Sequence, residues 1–205
     1  MGIAKGAILD YWTRRGARYA SDRVWGPGAG TPEAHAAQVA ERAAFIFETC
    51  PTDVGTVDYG CGIGMYTKYF TGTYAGLDLS PAHLAIAKET NPGADYVLIK
   101  TPTFEERPFA WFFDLFFTAT VLQHCSDEVV DGIFASLVDM HWRKFQMSLY
   151  EFANPASRNN QTVGRLPEEY VEMAKKHFTV HGSTSREHTI HGAVCAHTMI
   201  DVEGL

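Results

Sequence analysis

The chain has little that would bind polyanions, cross a membrane or crosslink itself, and each absence narrows its function. Basic residues number 17 against 24 acidic ones, for a formal net charge of −7. Such a chain lacks the summed positive field that holds a phosphate backbone, so neither nucleic acid nor an anionic membrane surface is expected as partner. No apolar run approaches the ~18 residues of a spanning helix, and residues 2–10 are too short and polar for a secretory leader. Cysteine is scarce: Cys50, Cys61, Cys125 and Cys195 lie far apart, with no CxxC pair. Scattered thiols without a leader point to a reduced, cytoplasmic protein. Repeats, low-complexity tracts and long charge blocks are missing as well. What is present is apolar: 46% hydrophobic and 13% aromatic residues, enough for a full core.

The pattern along the chain changes near residue 50. Residues 7–20 mix apolar and basic side chains at roughly helical spacing before Gly26-Pro-Gly-Ala-Gly30 breaks the chain. Thr31, Pro32 and Glu33 form a strong helix start, with a capping hydroxyl, a proline at the first position and an early acid. That helix is expected to reach about Thr49. From Val54 onward strands and helices alternate. Strands are expected near 54–59, 73–79, 96–99, 111–118 and 145–152, and helices near 65–70, 81–90, 127–138 and 166–177. Alternation of this kind gives βαβ units and a mainly parallel sheet covered on both faces. The last two strands, near 178–182 and 189–200, are too close in sequence for a crossover and must pair as an antiparallel hairpin. The expected fold class is α/β, one doubly wound, Rossmann-like sheet of about seven strands, with the last strand antiparallel and a helical N-terminal extension.

The chemistry concentrates where the first strand ends, in Asp58-Tyr-Gly60-Cys-Gly62-Ile-Gly64. Glycines there let the backbone turn tightly and approach a ligand with no Cβ in the way. Asp78 lies twenty residues beyond Asp58, at the end of the second strand, where a carboxylate accepts hydrogen bonds from ribose hydroxyls in doubly wound nucleotide sites. The alternative for Asp78 is a solvated turn acid beside the Ser80-Pro81 helix start. A dinucleotide fingerprint would place its third glycine at position 65, which is Met65. The spacing is GxGxG with an aspartate two residues ahead, and that carboxylate suits an amino group better than a pyrophosphate.

With Gly76-Leu-Asp78-Leu-Ser80, Phe113-Asp114-Leu-Phe and Val121-Leu-Gln-His124 added, the sequence resembles the class I S-adenosylmethionine-dependent methyltransferases over about residues 36–200. The resemblance implies that Asp58 and the loop of Gly60, Cys61, Gly62 and Gly64 hold the methionine part of S-adenosylmethionine. It further implies that Asp78 binds the ribose and that Leu79 packs on the adenine. It also implies one methyltransferase domain over 1–205, with helices in 1–50 covering the site and 51–205 forming the cofactor-binding core. One departure stands out. Where the family has an acid near the adenine amine, this chain has Thr101, whose hydroxyl is the expected substitute.

Substrate-side candidates follow from position. Ligands of open α/β sheets bind beyond the carboxyl ends of strands, which places Thr118, Gln123 and His124 at the border of the site. His124 has two open roles: a general base, typically worth 10²–10⁴-fold, or a structural histidine bonded to backbone. Glu151, ending the fifth strand, either faces the substrate or, more plainly, bonds loop backbone. Tyr11 and Arg15 share one helical face; related proteins hold the methionine carboxylate with such a helix, whereas the plainer role is an amphipathic helix packed on the sheet. The C-terminal histidines lack zinc-like spacing, so no metal is expected.

Methyl transfer to a small molecule is the leading function. The acidic charge, and Thr118-Ala-Thr-Val in place of a base-holding motif, argue against nucleic-acid substrates. Protein methylation, a cofactor-binding member without turnover and, more weakly, an NAD-type oxidoreductase are the alternatives.

Overall fold

The computed structural model describes residues 5–22, 31–103, 111–140, 143–156, 162–190 and 192–205. The glycine-proline break at 26–30 lies outside them. Helix α1 spans Lys5–Asp22 and α2 spans Pro32–Ile46. Strand β1 (Thr56–Tyr59), β2 (Tyr74–Asp78), α3 (Pro81–Thr90), β3 (Asp95–Leu98) and β4 (Leu115–Ala119) follow. The chain ends with α4 (Asp127–Met140), β5 (Phe145–Phe152), α5 (Pro167–Lys175), β6 (Phe178–Ile190) and β7 (Ala193–Gly204).

The helix starts form as the capping residues dictate. Thr31 Oγ1 accepts from Ala34 N at 3.2 Å, and Ser80 Oγ accepts from His83 N at 3.3 Å. Each satisfies one of the orphan amides of a first helical turn.

All seven strands form one sheet in the order β3-β2-β1-β4-β5-β7-β6. The first five are parallel; β7 runs against both β5 and β6 and is the one reversed strand. From β1 the chain winds outward to β2 and β3, then returns to the other side of β1 at β4. The topological switch point therefore lies between β1 and β4, where a crevice opens beyond the strand ends.

Each face buries its own core. On one face Val57, Leu77, Phe116 and Met147 meet Val130, Ile133 and Phe134 of α4. On the other, Leu115 and Phe117 meet Val39, Ala43 and Ile46 of α2. The expected helix at 65–70 is instead a run of turns and a 3₁₀ turn, Thr67–Tyr69. The segment is rich in β-branched and aromatic residues, which favour helix weakly. Thr67 is also held by its side chain, its hydroxyl lying 3.0 Å from Tyr74 OH and 2.9 Å from Tyr96 OH. Helix α2, which precedes β1 in sequence, supplies the cover that this first crossover does not.

The hairpin also differs from expectation. Residues 183–189 extend β6 rather than forming a loop, and the chain reverses at Gly192, φ +77°. An edge strand can keep polar side chains solvated, so a polar sequence does not exclude it. His181 and His188 consequently share β6.

Candidate active site

A cavity of about 800 Å³, counting its open mouth, sits at the switch point. Its floor is the glycine loop. Gly60, Gly62 and Gly64 have φ of +73°, +57° and +74°, conformations costly to residues with a Cβ. The loop hangs on the end of β2: Gly60 N and Cys61 N donate to Leu77 O at 2.8 and 3.0 Å. A Cβ on Gly60 would lie 2.6 Å from Val121 Cγ2, whereas one on Gly62 would meet no protein atom within 4 Å. Gly62 thus presents bare backbone to the cavity.

Asp78 closes one end. It is buried, with Oδ2 accepting from Gly62 N at 2.9 Å and Oδ1 from Ser80 N at 2.7 Å. His83 Nδ1 lies 3.7 Å from Oδ1. Leu79 and Ile99 supply an apolar wall beside it. Toward the other end lies Asp58, also buried, accepting from Tyr74 OH at 2.7 Å. Burial pushes the Asp58 carboxyl up to about 7, against the stabilising hydrogen bond from Tyr74 and helped by the charge of Asp78.

The turn after β4 forms the opposite wall. Thr120 is a non-glycine residue at φ +60°, a strained conformation of the kind held at functional sites by its surroundings. What holds it is a pair of buried charges. Glu151 accepts from Val121 N, Leu122 N and Gln123 N at 3.1, 3.0 and 3.1 Å, and from Thr118 Oγ1 at 3.3 Å. Arg165, almost fully buried, donates to Leu122 O at 3.0 Å and Cys125 O at 2.7 Å, and pairs with Asp127 Oδ1. A carboxylate thus takes the amides of the turn while a guanidinium takes its carbonyls. Burial raises Glu151 to about 7, although its backbone hydrogen bonds pull it down.

Helix α1 forms the roof. A Cβ on Gly16 would lie 2.0 Å from Ser80 Oγ, so α1 rests on the start of α3 at a distance only glycine allows. This seats Trp12 in the cavity wall, 5.2 Å edge-on from the His124 ring.

Of the residues expected from sequence, Asp58, Gly60, Cys61, Gly62, Asp78 and Leu79 line this cavity together. The structure does not bring the others into its wall. Gly64 turns the loop behind it, against Tyr96 and Asn91. Thr101 donates its hydroxyl to Thr103 O, and Thr118 is buried against Glu151. His124 stands one side chain away, behind Trp12. Arg15 is exposed and donates to Tyr11 OH at 2.7 Å, while the half-buried Tyr11 ring packs against the core beside Trp12. Trp12, Tyr66, His83 and Thr120 line the cavity without having been singled out. Trp12 carried a signal, an aromatic beside Tyr11 and Arg15; nothing in sequence marks the strained backbone of Thr120. Among the described residues no group of three His, Cys, Asp or Glu side chains is placed to hold a metal ion, and no helix is long and apolar enough to cross a membrane.

A parallel sheet with a glycine loop at its switch point and an acid ending the next strand defines a Rossmann-like, nucleoside-binding protein. Residues 57–140 match the family model described as a methyltransferase domain. Over those residues the chain carries a methyltransferase domain, and its fold is that of the class I S-adenosylmethionine-dependent methyltransferases. No curated protein matches it significantly in sequence. Solved structures share its fold. An S-adenosylmethionine-dependent methyltransferase from Anabaena variabilis is 15% identical with a TM-score of 0.67, over 97% of this chain and 95% of that one. The N-methyltransferase NodS of Bradyrhizobium japonicum, in complex with S-adenosylhomocysteine, is 15% identical with a TM-score of 0.65, over 94% and 97%. Magnesium protoporphyrin IX methyltransferase of Synechocystis, with bound S-adenosylhomocysteine, is 13% identical with a TM-score of 0.64, over 96% and 99%.

Proposed function

We propose that this methyltransferase acts on a small-molecule acceptor through an oxygen or nitrogen nucleophile, as one cytoplasmic domain whose residues 1–50 cover the site and 51–205 form the core. The observation that carries this reading is the roof. Trp12 of α1 lies over the crevice, which leaves a confined cavity rather than an open groove for a polymer. Two relatives by fold support it: NodS is an N-methyltransferase, and the Synechocystis enzyme acts on magnesium protoporphyrin IX. The burial of all four free cysteines supports a reducing compartment.

S-adenosylmethionine supplies an activated methyl group on a sulfonium sulfur. The remaining chemistry is placement. Asp78 keeps acceptor lone pairs for ribose hydroxyls beyond its two backbone bonds. Leu79 and Ile99 offer an apolar slot for the base, and the bare backbone of Gly62 allows close approach. Orienting an acceptor in such a site is worth up to ~7–11 kcal/mol of effective molarity. Glu151 and Arg165 are positioning residues for the cavity wall. His124 acts through Trp12 rather than at the reacting atoms.

Supplying the protein with methyl-labelled S-adenosylmethionine and a fractionated cell extract tests the acceptor class. Label is expected in the small-molecule fraction rather than in protein. Label confined to protein would establish the alternative substrate, and no transfer to any fraction would leave a binding protein. Asp78→Ala is expected to weaken S-adenosylhomocysteine binding about tenfold or more in a folded variant, because charge-assisted hydrogen bonds are lost. Unchanged calorimetric affinity would remove Asp78 from the site.

A further inference from the structure

Three buried hydroxyls behind the cavity wall form a chain that ends on Asp58. Tyr74 OH donates to Asp58 Oδ2 at 2.7 Å, Thr67 Oγ1 donates to Tyr74 OH at 3.0 Å, and Thr67 Oγ1 lies 2.9 Å from Tyr96 OH. Counting protons fixes the direction. A hydroxyl has one proton to give; Tyr74 spends its own on the carboxylate, and Thr67 spends its own on Tyr74. Tyr96 must therefore donate to Thr67, so all three O–H groups point toward Asp58. The members come from separate elements: Tyr74 opens β2, Tyr96 lies on β3, and Thr67 starts the 3₁₀ turn. Gly64 leaves room for them, since a Cβ there would lie 2.7 Å from Tyr96 OH and 3.0 Å from Thr67 Oγ1.

Such a chain biases the charge state of the group it ends on. Successive hydrogen bonds polarise one another, and a donor aimed at a carboxylate favours the ionised form. Burial pushes Asp58 the other way, and the bond from Tyr74 pulls it back down. Burial also holds the Tyr74 and Tyr96 phenols above their ordinary value, so both stay donors at any working pH. The titratable groups facing Asp58 are Asp78 and Tyr74 of β2, Tyr96 of β3, and Cys50, Cys61 and Tyr66. Each is neutral or negative, and among the described residues no basic side chain pairs with Asp58. A buried carboxylate without a countercharge calls for one from its ligand, and Asp58 lines the cavity. The amino-acid part of S-adenosylmethionine carries an ammonium group.

We propose that the Tyr96–Thr67–Tyr74 chain presents Asp58 to the cavity as a carboxylate, so that cofactor binding is coupled to loss of a proton from Asp58. This rests on the methyltransferase function above and names a regulation of its cofactor site by pH. On binding, Asp58 gives its proton to solvent and its carboxylate accepts from the ammonium group. Tyr74, Thr67 and Tyr96 do not line the cavity; they are positioning residues that act through Asp58.

S-adenosylhomocysteine and 5′-methylthioadenosine share the adenosine and differ in the amino-acid part, so the ratio of their affinities isolates the Asp58 end. Measured by calorimetry from pH 5 to pH 8, that ratio is expected to rise at least about tenfold in favour of S-adenosylhomocysteine. In Asp58→Asn it should be flat. His83, 3.7 Å from Asp78, lies at the adenosine end and acts on both ligands alike. Tyr74→Phe removes the donor to the carboxylate and should move the midpoint of the rise upward by about one pH unit, with 5′-methylthioadenosine bound as by the parent. Thr67→Val keeps the shape but has no proton to give, and should move the midpoint the same way; it carries the test where Tyr74→Phe does not fold. Thr67→Ser should keep the parental midpoint. A ratio independent of pH in the parent protein would overturn the proposal. So would an unchanged midpoint in the folded chain variants, which would reduce the hydroxyls to packing. Binding of neither ligand to the parent protein would instead count against the methyltransferase function itself.

Discussion

At the scale of single residues, buried charge determines how the site responds to pH. Among the described residues Asp58 has no basic partner, and burial raises its carboxyl from 3.8 to about 7. Between those values the folded protein binds a proton that the unfolded chain has released, so folding stability falls as pH rises through the window. Asp58→Asn keeps an acceptor for Tyr74 and has nothing to ionise. Its stability relative to the parent should therefore improve by on the order of 2 kcal/mol between pH 5 and pH 8, measured by denaturant unfolding. A gap independent of pH would mean that Asp58 titrates normally. His124 has a different test. As a support for Trp12 it can be replaced by Gln with some loss of thermal stability, while the pH–rate profile on a confirmed acceptor keeps its shape. A tenfold loss of kcat at neutral pH that shrinks as pH rises would make it the base.

At the scale of elements, the turn at 121–125 is the part of the site most dependent on others. Glu151→Gln turns one of its acceptor oxygens into an amide that faces donors. The variant is expected to lose about 1–3 kcal/mol of stability and to bind S-adenosylhomocysteine more weakly, because Val121 and Cys125 belong to the cavity wall. Normal cofactor affinity in the destabilised variant would show that the clamp serves only the fold. Gly16→Ala probes the roof: the new Cβ meets Ser80 and should lift α1, giving faster proteolysis within residues 5–22 and a weaker cofactor complex. Intact α1 with normal affinity would mean that the helix shifts to fit. Much of this level was legible in sequence. Thr31, Ser80 and the glycine loop announced themselves through capping and turn chemistry, which act within a few residues. The 3₁₀ turn at Thr67–Tyr69 and the long β6 were not legible, because each is decided by distant partners: the tyrosine network in one case, an edge position in the other. Arg165 was missed for the same reason, since its carbonyl partners are about 40 residues away in sequence.

At the scale of the whole molecule, sheet topology converts a short motif into a site. The glycine loop, Asp78, the turn after β4 and Trp12 come from four separate stretches, and only the winding of β1–β4 with α1 laid across it makes them one cavity. A ligand that touches all of them should stabilise the fold as a unit. At about 100 times its Kd a ligand that binds only the folded state adds ~2.7 kcal/mol, which for a chain of this size raises the melting temperature by roughly 5–10 °C. S-adenosylhomocysteine is expected to give that shift and to change the fluorescence of the protein as Trp12 is covered. NADH is not, because Met65 stands where the third dinucleotide glycine would be and Asp58 lies where a second phosphate would be repelled. The comparison is informative in both directions. Equal stabilisation by both ligands would show that the cavity reads only the adenosine they share, leaving the Asp58 end unused. A shift with NADH alone would overturn the assignment of the glycine loop to a sulfonium cofactor. A shift with S-adenosylhomocysteine that vanishes in Asp78→Ala but survives in His124→Gln would tie the stabilisation to the ribose end, as the placement of the two residues requires.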